Sequence, residues 1–235
     1  MKILVIGGTH GNEPLGINLV KLLKKKKINY VDAVFANNRA IKLNTRFTNQ
    51  DLNRSFPGKY NKIYEEKRAS FLLKLCKKYD LVLDFHNTYC PNNDCAFIGK
   101  PANKNLSNIS LYLGLNRVII ADYDCINKYA PNCVSVEISL TSKVMDINYW
   151  YKKIEDLSKL KSVLKTKPLK KFKFVYRMTL EDRDNYDLLN KNLQAFKPIN
   201  KKLANAMGLK SPAYPIFIND KYTPYNFGGL LNKIK

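Results

Sequence analysis

Histidine is nearly absent from this chain, with two in 235 residues. Tryptophan occurs once, and arginine supplies only seven of the 41 basic side chains, the rest being lysine. The five cysteines (Cys76, Cys90, Cys95, Cys125 and Cys133) are odd in number and form no C-x-x-C pair. That argues against a disulfide framework and a cysteine zinc cluster, and leads us to expect a reducing cytoplasm. No apolar run approaches the roughly 20 residues of a spanning helix. The opening Met1-Lys2-Ile3-Leu4-Val5-Ile6 is too short for a secretory signal, so neither membrane nor export is expected.

Acidic residues are also few, 19 against 41 basic, giving a formal net charge of +22. Such a charge points first to nucleic acid. The lysines, however, are scattered among Asn, Ile and Tyr and never gather into a basic, aromatic-rich motif, so we read them as filling solvated faces. A basic body still attracts small anionic substrates. A nucleic-acid-binding protein without catalysis stays as the rival from another class.

What is present reads as α/β. With 45% hydrophobic and 26% charged residues, the composition is that of a globular protein. Residues 2–6 make a short buried strand, and Leu15, Leu19, Leu22 and Leu23 mark one face of a helix over 15–26, ending in "KKKK". Strands follow at 30–36, 80–85, 94–98, 117–121 and 133–138. Helices are predicted over 60–79 and 146–164, the second striped by Ile147, Trp150, Tyr151, Ile154, Leu157 and Leu164. This alternation implies a mixed central sheet with helices on both faces. After "KTKP" at 165–168 the texture turns to short strand-like pieces, "KFVYRM" and "YPIFIN". We therefore expect two parts, a catalytic domain at 1–165 and a small, mostly β C-terminal domain at 166–235.

The two histidines stand at strand ends, where ligands of open α/β sheets collect. His10 and Glu13 lie in "GGTHGNEPLG", whose glycines allow a turn tight enough to aim both at one centre. The stretch lacks the G-x-G-x-x-G order of a dinucleotide site and places a glutamate where pyrophosphate would sit. His86 closes "LVLDFH". Two imidazoles and one carboxylate, with a fourth position open, suit a catalytic zinc ion that lowers the pKa of bound water to roughly 7. The same ligands suit other divalent ions. Asp84, two residues before His86, could orient an imidazole. Arg39, Arg46 and Arg54 cluster in a chain that otherwise uses lysine, and guanidinium forks grip carboxylates and oxyanions.

Taken together, "GGTHGNE", "NNRAIKLNTRFTNQDLNRSF", "DFHNT" and "VEIS", in this order and spacing, resemble the succinylglutamate desuccinylase and aspartoacylase family of carboxypeptidase-like zinc hydrolases. The resemblance implies one zinc per chain held by His10, Glu13 and His86. It implies Arg46 polarising the scissile carbonyl, Asn53 and Arg54 holding a substrate carboxylate, and Glu137 as general base and then acid. The implied reaction is hydrolysis of a small, anionic N-acyl amino acid, with desuccinylase or carboxypeptidase-like action as the near alternative. Where the aspartoacylase pattern has a tyrosine and an arginine before the glutamate, "NKYAPNCVSVE" offers Tyr129 and no arginine. The late tyrosine is Tyr222 or Tyr225. Association into a homo-oligomer is left open.

Overall fold

In the first strand Ile3 and Val5 face one way and Leu4 and Ile6 the other, and all four are buried, as a strand covered on both faces requires. The computed structural model describes residues 1–59, 63–160, 169–209 and 212–234. Strands β1 (Ile3–Gly7), β2 (Val31–Phe35), β3 (Leu81–Thr88), β4 (Cys95–Gly99), β5 (Arg117–Ala121), β6 (Cys133–Ser139), β7 (Lys170–Met178), β8 (Ala213–Ile216) and β9 (Gly228–Ile234) form one sheet. Its order is β2-β1-β3-β6-β4-β5-β7-β9-β8. From β2 to β6 the ladders are parallel. β4 then runs antiparallel to β6, and β9 runs antiparallel to β7 and β8. The sheet is mixed, with helices on both faces.

Helices α1 (Pro14–Lys25), α4 (Lys104–Tyr112) and α6 (Ile147–Lys159) cover the face that carries Ile3 and Val5. Trp150 of α6 meets Phe85 edge-on with ring centroids 5.1 Å apart. Helices α3 (Tyr64–Cys76) and α5 (Ile126–Tyr129) cover the face of Leu4 and Ile6. The short α2 (Asn38–Leu43) links β2 to the 44–59 loop. α2, α4 and α5 carry no strong amphipathic stripe, and the sequence reading had not anticipated them.

The C-terminal part continues the same ladder, because β7 pairs in parallel with β5. It also contains α7 (Leu180–Asn185) and α8 (Lys201–Ala206). These pack Leu188, Leu203 and Ala204 against Met178, Phe227 and Leu230 in a cluster of their own. The division placed near residue 166, and the end of the helix predicted to 164, lie outside the described residues. All five cysteines are free and buried. No described helix is long and apolar enough to cross a membrane.

Candidate active site

β1 and β3 are neighbours whose connections leave in opposite directions along the sheet, and the crevice at their carboxyl ends is where such sheets bind ligands. The turn leaving β1 depends on glycine at two positions. Gly8 has φ +72°, and a Cβ on Gly11 would lie 2.0 Å from the carbonyl carbon of Ala40. This close approach lets α2 pack on the turn and aims His10 and Glu13 inward. Glu13 caps the N-terminus of α1 with Pro14 behind it, so its negative charge sits at the positive end of the helix. Asn87, just after His86, accepts from the N–H of Leu15 through Oδ1 at 2.9 Å and ties that helix end to β3.

The structure brings His10, Glu13 and His86 together. One ligand atom from each lies within 4.8 Å of the others, and all three residues are buried. His10 Nδ1 is 2.6 Å from Glu13 Oε1, and His86 Nδ1 is 3.0 Å from Glu13 Oε2. The opposite ring atoms are held by further acids. His86 Nε2 lies 2.7 Å from Asp84, whose other oxygen accepts from Thr9 Oγ1 at 2.9 Å. His10 Nε2 lies 3.0 Å from Asp51. A carboxylate behind each Nε2 fixes the tautomer that leaves Nδ1 as donor to a metal. Four carboxyl groups (Glu13, Asp51, Asp84 and Glu137) thus surround two imidazoles and Arg46. That acid excess and the converging nitrogen and oxygen donors fit a divalent cation.

Burial alone would push the Glu13 carboxyl up, but His10 and His86 together hold it well below the usual carboxylate range. Burial likewise opposes charge on His86, and Asp84 and Glu13 outweigh it, raising its pKa well above the ordinary value. Glu137 stands directly across the ladder from His86. Burial first, with Glu13 and Asp220 adding to it, pushes its pKa well above the usual range against the pull of His86 and Arg46.

Arg46 reaches Glu13 Oε1 with Nη1 at 3.4 Å and Asp51 Oδ2 with Nη2 at 3.2 Å, while its buried Nε has no partner. Arg46, Asn53, Arg54, Glu137 and Tyr222 all line the pocket with His10, Glu13 and His86. The buried Oδ1 of Asn53 also lacks a partner. Tyr222 is fixed by donating its hydroxyl to the carbonyl of Asn12 at 2.9 Å. Tyr225 is 49% exposed and does not line the pocket.

Tyr129 is not brought to the pocket. Its ring packs against the cluster of Leu4 and Ile6, and its hydroxyl donates to Asp124 at 2.8 Å. Tyr123, six residues earlier, lines the pocket instead. Asp220 is a second residue that sequence reasoning missed. It is buried, accepts from the hydroxyl of Thr88, and accepts from the N–H of Tyr222 at 3.0 Å. Its only sequence signal was its place just before the late tyrosines.

Residues 1–109 match the family model described as the succinylglutamate desuccinylase/aspartoacylase catalytic domain. The chain is 34% identical over 104 residues to a probable aspartoacylase of Trichodesmium erythraeum, covering 37% of this chain and 35% of that protein. It is 31% identical over 115 residues to the N-acyl-aromatic-L-amino acid amidohydrolase (carboxylate-forming) of Rattus norvegicus, covering 40% and 36%. The matched stretch thus spans about a third of each curated relative. In fold, the crystal structure of the succinylglutamate desuccinylase from Chromobacterium violaceum superposes with a TM-score of 0.75 at 17% identity, covering 99% of this chain and 84% of that one.

Proposed function

We propose, given that this chain belongs to the succinylglutamate desuccinylase/aspartoacylase family, whose catalytic-domain pattern it carries over residues 1–109, that it is a zinc-dependent hydrolase of small N-acyl amino acids. The carrying observation is the convergence of His10, Glu13 and His86 within 4.8 Å, with Glu137 paired across the ladder from His86.

A divalent cation held by those three side chains would supply Lewis-acid activation of water and of the amide carbonyl. The chain's own groups do the rest. The carboxylate of Glu137 takes a proton from the attacking water as the C–O bond forms, then returns it to the amine nitrogen as the C–N bond breaks. Its raised pKa suits it to both transfers. Arg46, whose Nε is buried and free, stabilises the oxyanion of the tetrahedral adduct. Asn53 and Arg54 hold the carboxylate of the substrate, and Tyr222 closes the same wall. The products are a free carboxylate and a free amino acid.

The chain divides, in this reading, into a catalytic part at 1–165 and a C-terminal part at 166–235 that completes the pocket. The separate cluster around Met178, Leu203 and Phe227 supports the division. The test is an assay on a panel of N-acyl amino acids before and after chelation. Hydrolysis that disappears with chelator and returns with zinc is expected. Hydrolysis indifferent to metal removal contradicts the reading.

A further inference from the structure

The C-terminal part does more than supply walls such as Phe217 and Phe174 to the pocket and the cavity beside it. Residues 217–222 cross the two turns that carry the proposed metal donors and bond to both. On one side the Tyr222 hydroxyl donates to the main-chain carbonyl of Asn12 at 2.9 Å, and Asn12 stands between His10 and Glu13. On the other side Asp220 accepts from the hydroxyl of Thr88 and from the N–H of Tyr89 at 3.3 Å, just past His86. The same carboxylate accepts from the N–H of Tyr222 at 3.0 Å, so the two arms meet. Asp220 and Tyr222 are both buried. Cys90 Sγ donates to the carbonyl of Ile218 at 3.1 Å, and Asn93 Oδ1 accepts from the N–H of Phe217 at 2.9 Å, which fastens the segment to the chain leaving β3. Phe217 and Asn219 have φ of +54° and +51°, a region that a side chain as bulky as Phe enters only where its surroundings hold it.

We infer that Tyr222 and Asp220 are positioning residues that brace the two donor-bearing turns, Tyr222 acting on the turn of His10 and Glu13 through the Asn12 carbonyl rather than on the substrate. This rests on the metal-dependent deacylase reading above and adds what keeps its donors in register. Zinc bonds are about 2 Å long, so the donors must hold their spacing closely. The β1–β3 ladder does not set that spacing by itself, because its last pair is Gly7 and Phe85, before either histidine. Past that pair Asn87 supplies one tie, to the N–H of Leu15. Residues 217–222 supply a second from the far end of the chain. A tyrosine hydroxyl has one proton to give. Tyr222 spends it on Asn12 and has none left for a substrate carboxylate.

The experiment titrates zinc calorimetrically into the metal-stripped protein and three variants. Tyr222→Phe keeps the ring contact with Tyr89, whose centroid is 4.5 Å away, and loses only the hydroxyl. It should weaken zinc binding about 3- to 10-fold. Thr88→Val, which removes the hydroxyl held by Asp220, should weaken it to a similar extent. Tyr176→Phe removes a hydroxyl bond of the same 2.9 Å length, to Asp182, away from both turns, and should leave the affinity unchanged. Kinetics on N-acyl amino acids separate a brace from a substrate contact, since KM of Tyr222→Phe should return to the wild-type value once zinc saturates. Unaltered zinc affinity in Tyr222→Phe, or a raised KM that excess zinc does not restore, would overturn the inference. Should Tyr222→Phe fail to fold, hydrogen exchange in the wild type decides. Coupling is reciprocal, so zinc should slow exchange across residues 219–223 more than across α7, and equal slowing would overturn the inference. Wild-type protein that binds no zinc removes the metal-dependent reading and the brace together, whereas zinc bound equally well by wild type and Tyr222→Phe removes the brace alone.

Discussion

Glu137 carries the proton transfers of the proposed reaction, and its surroundings say how it should behave. Glu137→Gln keeps the side chain's size and removes its basicity, so kcat should fall by about 10²- to 10⁴-fold with metal content unchanged. Because burial raises the Glu137 pKa, the carboxylate is protonated at the acid end. The rate should rise with pH through a midpoint above the ordinary carboxylate range and level off beyond it. A pH profile of kcat/KM checks this, and a midpoint near 4 would contradict it. The single-residue signals were uneven. His10 and His86 stood out because the chain has no other histidine, and Glu13 because it shares the turn of His10. Tyr123 did not, because several tyrosines precede Glu137, and only the folded path of residues 122–132 decides that Tyr123 lines the pocket while the Tyr129 hydroxyl is held by Asp124. Asp51 and Asp220 look in sequence like ordinary loop acids, and it is contacts across 41 and 132 residues that tie them to His10 and Thr88.

Among the elements, the loop over residues 44–59 has the least regular structure and carries Arg46, Asp51, Asn53 and Arg54. It is held largely by one residue of α3. Glu65 Oε1 accepts from the hydroxyl of Thr48, from the N–H groups of Thr48 and Asn49 at 3.1 and 3.3 Å, and from Asn37 Nδ2 at 3.3 Å. Burial works against this charge, but the bonds from Thr48 and Asn49 outweigh it and lower the pKa of Glu65 from 4.5. The unfolded chain therefore binds the proton more readily. The stabilisation is fully present above about pH 4.5 and is lost as pH falls through the lower folded value. Glu65→Gln should cost ~1–2 kcal/mol at pH 7 and progressively less toward pH 3, as measured by denaturant unfolding. A difference independent of pH would contradict the assignment. Strongly striped elements such as α1 and α6, and runs such as "LVLDF", were legible because periodicity reports burial. α2 and α5 were not. They are six and four residues long, too short to show a helical period, and tertiary contacts hold them in place.

Across the whole molecule, the mixed sheet was readable from the alternation of strands and helices. The continuity of the C-terminal strands with it was not. A texture change after residue 165 marks a change in local pattern, whereas the β5–β7 ladder depends on pairing between segments about fifty residues apart. That continuity gives the C-terminal part its use, since β7 and the turns beside β9 bring Phe174, Phe217 and Tyr222 to a site begun by the first ninety residues. The net charge of +22 adds long-range attraction for the anionic substrates proposed above, which salt should weaken.

The most direct measurement is calorimetric titration of zinc into carefully stripped protein at pH 7, alongside the Glu13→Gln and Asp84→Asn variants. One equivalent per chain should bind the wild type, Asp84→Asn should bind it about 10- to 100-fold more weakly, and Glu13→Gln should lose most of the affinity. Wild-type protein that takes up no stoichiometric ion, or a Glu13→Gln variant that binds it equally well, would contradict the account.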